Sequence, residues 1–314
     1  MSFIKNYFIF LLSFYSYLLA IVFFDYEPRN FQLLNNIDFG DTGLNLTEIV
    51  SNIQNNRVSI IKTHFPYMNK INDSTYEPMY GGIPLLVNYT DFMLTIQDNI
   101  KANNFTDLYD GLIVFDMENW TPIWETLSEI YQNMTMNYTL DLYPELRNNR
   151  DLLNERSKQL WNTQSMELML EAIDIAREIC PLSKIGYYGY PGMPYWGNNI
   201  DFEIARNHND ELFALWNNVD ILLPSIYIPY ISTHKFNVFH ENFDYVERKI
   251  NEALRIKKIM NLTDLLIMPY TWHRYHDPYD KNFLVGGDLY LEYKLPHTYE
   301  DIDGIVLWST ENNE

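Results

Sequence analysis

Cysteine is almost absent from this chain of 314 residues, which contains only Cys180. An intrachain disulfide is therefore excluded, although disulfides are common in exported proteins. We interpret Cys180 as a small buried hydrophobic residue at the end of a helix. With 47% hydrophobic and 16% aromatic residues, the chain has enough apolar material for one large core.

Basic residues are also scarce, since 22 Lys and Arg stand against 42 Asp and Glu for a net charge of −20. Binding to phosphate backbones needs a basic surface, so we expect no nucleic-acid partner. The same charge opposes any polyanionic substrate at long range, more strongly at low salt. A polyanion would therefore require a local cluster of basic groups.

Long apolar runs are missing beyond the amino terminus, so no later segment could span a bilayer. Residues 1–24 combine an early Lys5 with an apolar run and a small residue, Ala20, which is typical of a secretory signal peptide. We therefore predict a secreted protein with a signal peptide at 1–24, a single domain at 25–314 and no membrane contact after cleavage. An uncleaved anchor and a packed tail are the alternatives.

Export is also indicated by eight Asn-x-Ser/Thr sequons. Asn119 lies inside the acidic motif described below, where a glycan would obstruct the site, and we expect it to be unmodified. The candidates for glycosylation are Asn45, Asn72, Asn88, Asn104, Asn133, Asn137 and Asn261.

Single apolar strands alternate with helical patterns, which predicts an α/β fold with a parallel sheet. The number of units favours a distorted TIM-like barrel of about seven strands. The predicted strands are 57–65, 111–118, 184–191, 220–228, 265–272 and 303–308. The predicted helices are 89–103, 165–180, 210–218 and 242–261. We expect turns over 66–84 and a long loop running into a helix over 134–161.

The stretch from Asp110 to Trp124 carries the strongest chemical signal. Its apolar run has the character of a buried strand and ends in two acids, Asp116 and Glu118. Residues i and i+2 of a strand point to the same face, so both carboxylates should project side by side. Their pKa values should be pushed apart, which suits one proton donor and one ionised stabilising group.

Aromatic side chains recur at the predicted carboxyl ends of the other strands, where a barrel carries its active site. Flat rings with hydroxyl or indole N–H groups are what a sugar-binding cleft needs. An alternative is that these rings simply fill layers of the barrel. The residues at or near these strand ends are Tyr188, Tyr190, Ser225, Tyr227, Tyr270, Trp272 and Trp308.

These motifs, in this order, resemble those of the family 56 glycoside hydrolases, the hyaluronidases. The segment Asp116–Trp124 is similar to the family's Asp-x-Glu-x-Trp-Arg-Pro motif. Further similar segments are Gly81–Pro84, Gly186–Pro191, Leu223–Tyr227, Asn251–Ile256 and Val306–Ser309.

The resemblance implies an endo-acting retaining hydrolase of hyaluronan or chondroitin, in which the substrate's N-acetyl oxygen attacks the anomeric carbon. It implies that Glu118 is the general acid and then the base for water, and that Asp116 orients and stabilises the N-acetyl nitrogen. It assigns no metal and no cofactor. The substrate-binding residues implied by the motifs and strand ends are Tyr188, Tyr227, Trp308, Trp120, Tyr270 and Lys249.

The chain departs from the family pattern in several places. The motif arginine is Thr121, the barrel disulfides are absent with Met193 where one cysteine is expected, and the family's final helix would lie beyond Glu314. A basic strip could still attract a polyanion. Its candidates are Lys249, Arg248, Arg274 and His273, with His276 assisting at acidic pH.

Two other hypotheses remain open. A family 18 chitinase also uses substrate assistance on a barrel, but Asp110–Gly111 is one residue too far from Glu118 for its motif. A secreted, catalytically weak or inactive protein of the same fold, which binds glycans or host molecules, is favoured by Thr121 and the missing disulfides. The intact pair of acids argues against this second alternative.

Overall fold

The chain forms an α/β barrel, seen in a computed structural model that describes residues 21–25, 58–61, 65–72, 75–102, 106–230, 236–276, 282–284 and 286–308. The strands are β1 (Ile21–Asp25), β2 (Val58–Ile61), β3 (Tyr67–Asn72), β4 (Thr75–Met79), β5 (Leu112–Phe115), β6 (Lys184–Tyr187), β7 (Ile221–Leu222), β8 (Leu266–Ile267), β9 (Tyr270–Trp272) and β10 (Gly304–Trp308).

Helices separate most of these strands and lie outside them. The α-helices are α1 (Tyr89–Ala102), α2 (Glu129–Leu142), α3 (Arg150–Ile179), α4 (Asn199–Glu211), α5 (Phe213–Trp216), α6 (Phe236–Ile259) and α7 (Gly286–Tyr293). Short 3₁₀ helices lie at Pro84–Leu86, Trp124–Thr126, Pro144–Asn148 and Pro296–Thr298.

The barrel strands run parallel. β5 pairs with β2 on one side and β6 on the other, and β10 pairs with β1 and β9. An isolated parallel bridge from Tyr188 to Leu223 joins β6 to β7, and a second from Ser225 to Tyr270 joins β7 to β9. With β8 and β9 as two parts of one strand, and β1 lying beside β2, the described strands make seven positions around a distorted barrel.

β5 is buried on both faces, since all four of its residues are inaccessible. Continuous burial explains why its sequence is an unbroken apolar run rather than an alternating one. Its neighbour β6 carries Gly186, where a β-carbon would lie only 2.6 Å from the backbone oxygen of Ile221. Glycine therefore permits the close approach of β6 to β7, which brings the residues after both strands together.

α3 packs against the segment that carries the acidic motif. The helix begins after Asn149, whose side chain accepts a hydrogen bond from the Leu152 backbone N–H at 3.2 Å, an N-cap arrangement. The fully buried Trp161 donates its indole N–H to the Thr121 carbonyl at 3.0 Å, and Asn162 accepts from the Trp124 backbone N–H at 3.1 Å. The long helix thus holds the chain that follows the two acids.

The sequence predicts a long loop running into a helix over 134–161. The helix is present as the first part of α3, but the long loop is wrong, because α2 extends to Leu142 and a 3₁₀ helix spans Pro144–Asn148. The two α-helices face each other partly through small hydroxyl side chains, which gave no apolar periodicity to read. Thr135 and Thr139 of α2 are buried and bond backbone carbonyls one turn earlier, and Ser157 of α3 donates to the Thr139 hydroxyl at 2.9 Å. Satisfied hydroxyls of this kind are tolerated in a core.

Three further segments differ from the sequence-based expectation. The turns predicted at 66–84 contain the antiparallel hairpin β3–β4. The helix predicted at 210–218 spans the end of α4 and all of α5. The strand predicted at 265–272 is interrupted between β8 and β9, where Pro269 lacks the N–H that a continuous ladder needs.

The predicted signal peptide lies mostly outside the described residues, and its last four residues, 21–24, belong to β1. Removal of the chain through residue 24 would therefore take this strand from the barrel, whereas an earlier cut would leave it. The division into a signal peptide at 1–24 and a domain at 25–314 stays a prediction. None of the described helices is both long enough and apolar enough to cross a membrane.

The candidate glycosylation sites fall into two groups. Asn45 and Asn104 lie outside the described residues, whereas the other candidate asparagines are exposed and so accessible to a glycan. These are Asn72, Asn88, Asn133, Asn137 and Asn261.

Cys180 lies directly after α3, is fully buried and has a thiol pKa raised by burial, in agreement with its predicted structural role.

Replacing Trp161 should destabilise the barrel strongly. Trp161→Ala would leave a cavity and remove the hydrogen bond to Thr121, so we expect a loss of about 3–5 kcal/mol in the free energy of unfolding. Trp161→Phe should cost less, because most of the ring volume remains. Urea unfolding followed by circular dichroism measures both, with the exposed Leu152 of the same helix, changed to Ala, as the control. A Trp161→Ala variant as stable as the control would contradict this packing.

Candidate active site

An open cavity of about 110 Å³ lies at the carboxyl ends of the barrel strands. A cavity needs roughly 10–15 Å³ to hold one water molecule, so this cavity can hold several groups of that size. The residues lining it come from both sides of the barrel. They are Ile60, Val114, Asp116, Glu118, Tyr188, Tyr227, Tyr270, His276 and Trp308.

The two acids enter this cavity from one edge, as the sequence predicted. β5 ends at Phe115, earlier than expected, but the Asp116 backbone N–H still reaches the Ile61 carbonyl at 3.4 Å. The alternation of the strand continues past its end, so that Val114, Asp116 and Glu118 all line the cavity. Asp116 is partly buried and Glu118 is exposed at the mouth.

Aromatic rings form the opposite wall. The ring of Tyr227 lies 5.9 Å from that of Trp308 in a stacked arrangement and 6.1 Å from that of Tyr188. Tyr188 meets Tyr270 edge to face at 4.9 Å. His276 packs 5.6 Å from Tyr227, centroid to centroid. The cavity thus brings together residues that lie on or after β2, β5, β6, β7, β9 and β10.

Tyr188 remains a neutral phenol in this setting. Burial is the main influence that raises its pKa, to about 12, and the nearby carboxylates of Glu118 and Asp116 add to it. Its hydroxyl lies 3.1 Å from the Ser225 Oγ, whose own O–H could donate to the ionised phenol oxygen, and this opposes the rise in pKa. A group that keeps its proton at every ordinary pH is suited to donate a hydrogen bond rather than to exchange protons.

Two of the predicted substrate-binding residues do not line the cavity. Trp120 is buried against Trp161 at 5.6 Å and donates its indole N–H to the Pro66 carbonyl at 2.6 Å. Lys249 is 7% exposed on α6, with its ammonium 5.5 Å from the centre of the Tyr245 ring. Their place in the core fits a structural role better than direct contact with a sugar.

The other candidates for a basic strip are also engaged elsewhere. Arg248 lies over the Phe202 ring at 4.2 Å and donates to the Tyr195 carbonyl at 3.0 Å. Arg274 lies over the Phe283 ring at 4.4 Å, while burial lowers the pKa of His273 to about 4. Among the described residues that line the cavity, His276 is the basic side chain.

A buried carboxylate that the sequence analysis missed supports the cavity from behind. Glu292 of α7 is fully buried, and each of its oxygens accepts one backbone N–H, from Ile228 at 2.8 Å and from Trp272 at 2.7 Å. Ile228 follows the cavity residue Tyr227, and its carbonyl accepts the His276 backbone N–H at 2.8 Å. Glu292 therefore fixes the two segments that carry Tyr227, Tyr270 and His276.

A second buried acid lies one helical turn earlier on α7. Asp288 accepts hydrogen bonds from the Tyr275 hydroxyl at 2.7 Å and from the Asn242 amide at 3.0 Å. The spacing of four residues between Asp288 and Glu292 places both on one side of α7. It could not reveal that Glu292 bonds backbone groups from distant strands.

One group of side chains away from the cavity has the composition of a metal site. Glu125, His208 and Glu211 place one ligand atom each within 4.8 Å of one another. Lys158, however, forms a close ion pair with Glu125 and so neutralises that carboxylate. This arrangement is better described as a surface ion-pair cluster than as part of the cavity chemistry.

A parallel α/β barrel with two carboxylates at the carboxyl ends of its strands, facing a wall of tyrosine and tryptophan, defines a carbohydrate-active enzyme of the glycosidase class. Residues 47–314 match the sequence model of the hyaluronidase family of glycoside hydrolases. The chain therefore belongs to that family and is a glycosidase of the hyaluronidase type.

Solved structures support the same fold. The chain is similar to bee venom hyaluronidase in complex with a hyaluronic acid tetramer, with a TM-score of 0.76, 21% identity and coverage of 93% of this chain and 90% of the other. A monoclinic crystal form of bee venom hyaluronidase gives a TM-score of 0.75 at 20% identity, covering 93% and 91% of the two chains. The predicted distorted barrel is thereby confirmed.

Sequence relatives include proteins named hyaluronidase and one named inactive hyaluronidase. Hyaluronidase A of Vespula vulgaris is 26% identical over 265 residues, covering 79% of this chain and 74% of its own length. Hyaluronidase of Apis mellifera is 26% identical, with coverages of 79% and 65%. A protein named inactive hyaluronidase B, also from Vespula vulgaris, is 25% identical, with coverages of 78% and 71%.

Replacing Glu292 with Gln should destabilise the fold and change its pH dependence. An amide offers one acceptor where the carboxylate offers two, so a buried N–H loses its partner at a cost of about 1–3 kcal/mol. Burial is the main cause that raises the pKa of Glu292 well above its usual value, against the two N–H bonds that lower it. A raised pKa stabilises the fold fully below pH 4.5, and this contribution is lost as the pH rises through the folded-state pKa.

The free energy of unfolding of Glu292→Gln should therefore fall less than that of the parent between pH 4.5 and neutrality. Urea unfolding at several pH values measures this difference. Glu300→Gln, at an exposed position, serves as the control. Equal pH profiles for the parent and Glu292→Gln would show that Glu292 is not the titrating group.

Replacing Lys249 with Met should stabilise the protein at neutral pH. Burial lowers the pKa of Lys249 from 10.5 to about 8, so the unfolded chain holds this proton more tightly than the folded one. Stability should consequently rise with pH between about 8 and 10.5, and the methionine variant should lose this rise. The shift corresponds to a gain of at most about 3 kcal/mol below pH 8.

Chemical denaturation at pH 7 and at pH 10 tests this expectation. The control is Lys258→Met, on the exposed side of the same helix. If Lys249→Met and Lys258→Met show the same change in stability between the two pH values, Lys249 does not carry a depressed pKa.

Proposed function

We propose that the chain is a secreted, endo-acting, retaining glycosidase that cleaves N-acetylhexosaminide bonds in hyaluronan or chondroitin. The observation that carries this proposal is the cavity in which Asp116 and Glu118 face Tyr188, Tyr227 and Trp308. Membership of the hyaluronidase family supports hyaluronan as the substrate. The structure of bee venom hyaluronidase with a hyaluronic acid tetramer adds to that support for the shared fold.

The proposed mechanism uses the substrate's own acetamido group as the nucleophile. Its carbonyl oxygen attacks the anomeric carbon while Glu118 gives its proton to the departing glycosidic oxygen, whose bond to that carbon breaks. Water then attacks the same carbon from the opposite face, Glu118 takes a proton from it, and the acetamido oxygen leaves. The two displacements restore the original configuration.

In this mechanism Asp116 stays ionised beside the acetamido nitrogen, which becomes positively charged when the oxygen attacks. These two roles follow the family motif, and both carboxylates line the cavity that would hold the acetamido group. Tyr188, a neutral phenol, would hydrogen-bond the acetamido group. Tyr227 and Trp308 would shape the pocket around its methyl group.

The proposal that the protein is secreted rests on the sequence and on the relatives rather than on the cavity. The apolar start of the sequence and the exposed sequon asparagines support export of the chain. The similarity to bee venom hyaluronidase and to a salivary hyaluronidase of Lutzomyia longipalpis favours the same destination.

A catalytically weak protein that binds the same glycan is the alternative, and two observations favour it. Thr121 stands where the family motif has arginine, and its hydroxyl bonds Thr126 and the Ile123 carbonyl. Among the described residues that line the cavity there is no lysine or arginine. A relative named inactive hyaluronidase B shows that inactive members of the family occur.

Glu118→Gln separates the two functions. We expect hyaluronan cleavage to fall by about 10²–10⁴-fold, because the amide can neither give nor take the proton. A reducing-end assay at pH 4 to 7, on hyaluronan and on chondroitin, measures the loss. Glu203→Gln, on the exposed side of α4, is the matched control and should keep full activity. If wild type cleaves neither glycan faster than Glu118→Gln, the chain is not the proposed enzyme.

A further inference from the structure

An exposed cluster of aromatic rings lies beside the cavity but outside its lining. Trp196 is 57% exposed and Tyr230 is 42% exposed, and their ring centres lie 5.7 Å apart. Both pack on Tyr195, at 4.5 Å and 5.6 Å. We call Tyr195, Trp196 and Tyr230 the aromatic platform.

The platform is continuous with the cavity through short contacts. Tyr195 packs on Tyr245 at 4.8 Å, and the Tyr245 hydroxyl donates to the Ser225 carbonyl at 3.3 Å. The Oγ of the same Ser225 accepts a hydrogen bond from the cavity residue Tyr188. Tyr230 follows the cavity residue Tyr227 by three residues, a span of at most about 11 Å. The platform and the cavity therefore lie on the same face of the barrel.

Buried groups hold the platform in place. The fully buried Asn242 accepts a hydrogen bond from the Tyr195 hydroxyl at 2.6 Å and donates to the Tyr230 carbonyl at 2.9 Å and to Asp288. Arg248 donates to the Tyr195 carbonyl at 3.0 Å. Rings fixed in this way lose little conformational freedom on binding, which is the condition for an effective rigid contact surface.

We infer that the aromatic platform is a stacking subsite for a sugar ring of the same polymer, beyond the units held in the cavity. The inference rests on the proposed function and extends it to the length of glycan that the protein holds. Exposed indole and phenol rings provide the flat apolar surface onto which the C–H face of a pyranose packs. A net charge of −20 makes such contacts more useful here, because they attract a polyanion's sugar rings without needing opposite charge.

Binding should therefore be measured as a function of oligosaccharide length. In these experiments the parent protein is Glu118→Gln, which permits binding without cleavage, and every further substitution is added to it. The ligands are hyaluronan tetra-, hexa-, octa- and decasaccharides, and calorimetry measures their affinities. Affinity should increase with length and then level off once the platform is occupied. In Trp196→Ala the affinity for the longest ligand should fall about tenfold, while the affinity for the shortest is unchanged. Tyr230→Ala should act in the same direction.

Two controls isolate the platform. Phe213→Ala removes an equally exposed ring on α5, between β6 and β7, and should leave every affinity unchanged. The increment that Trp196 gives should also persist when the salt concentration is raised, because stacking is not a charge interaction. The intrinsic fluorescence of the parent should change on binding of long ligands more than that of Trp196→Ala.

The outcomes distinguish this inference from the proposed function. If the parent binds the oligosaccharides but Trp196→Ala and Tyr230→Ala bind the longest as tightly as the parent, the subsite is wrong and the proposed function stands. If the folded parent binds no oligosaccharide and wild type cleaves none, both are overturned. If Trp196→Ala changes self-association in sedimentation experiments without changing affinity, the platform is a contact between copies of the chain.

Discussion

The cavity depends on a single buried carboxylate that never reaches it. Glu292 lies between two segments whose backbone hydrogen bonds are not all made within the barrel sheet. Its two oxygens accept one backbone N–H from each segment, at Ile228 and at Trp272. The two bonds satisfy both buried N–H groups, and leaving either donor unpaired in the interior would be costly. The segments that carry the aromatic wall are thus positioned through the main chain.

The lining of the cavity could be predicted largely from the sequence, because two simple periodicities govern it. Alternation along β5 places Asp116 and Glu118 on one side, and the carboxyl ends of parallel strands meet at one face. Glu292 could not be found in this way, since its partners lie 64 and 20 residues away. The pairing of α2 with α3 was not predicted for another reason. Their contact surface buries the hydroxyls of Thr139 and Ser157, and polar residues give no apolar pattern in the sequence.

The cavity walls are aromatic rather than basic, although the expected substrate is a polyanion. Three cations that could have faced a polyanion are directed elsewhere, because Arg248, Arg274 and Lys249 each lie over an aromatic ring. The cavity itself combines two acids with aromatic walls and His276. An acidic protein that handles an acidic polymer must derive its selectivity from short-range fit rather than from long-range attraction.

The buried Cys180 has a practical consequence for experiments on this molecule. It is the only thiol in the chain, and burial both shields it and raises its pKa. Reagents that modify cysteine react through the exposed thiolate, so the native thiol should stay unlabelled while the barrel is folded. A cysteine introduced at an exposed position would then be the sole point of attachment for a fluorophore or spin label, and motions of the loops around the cavity could be followed without first removing a native residue.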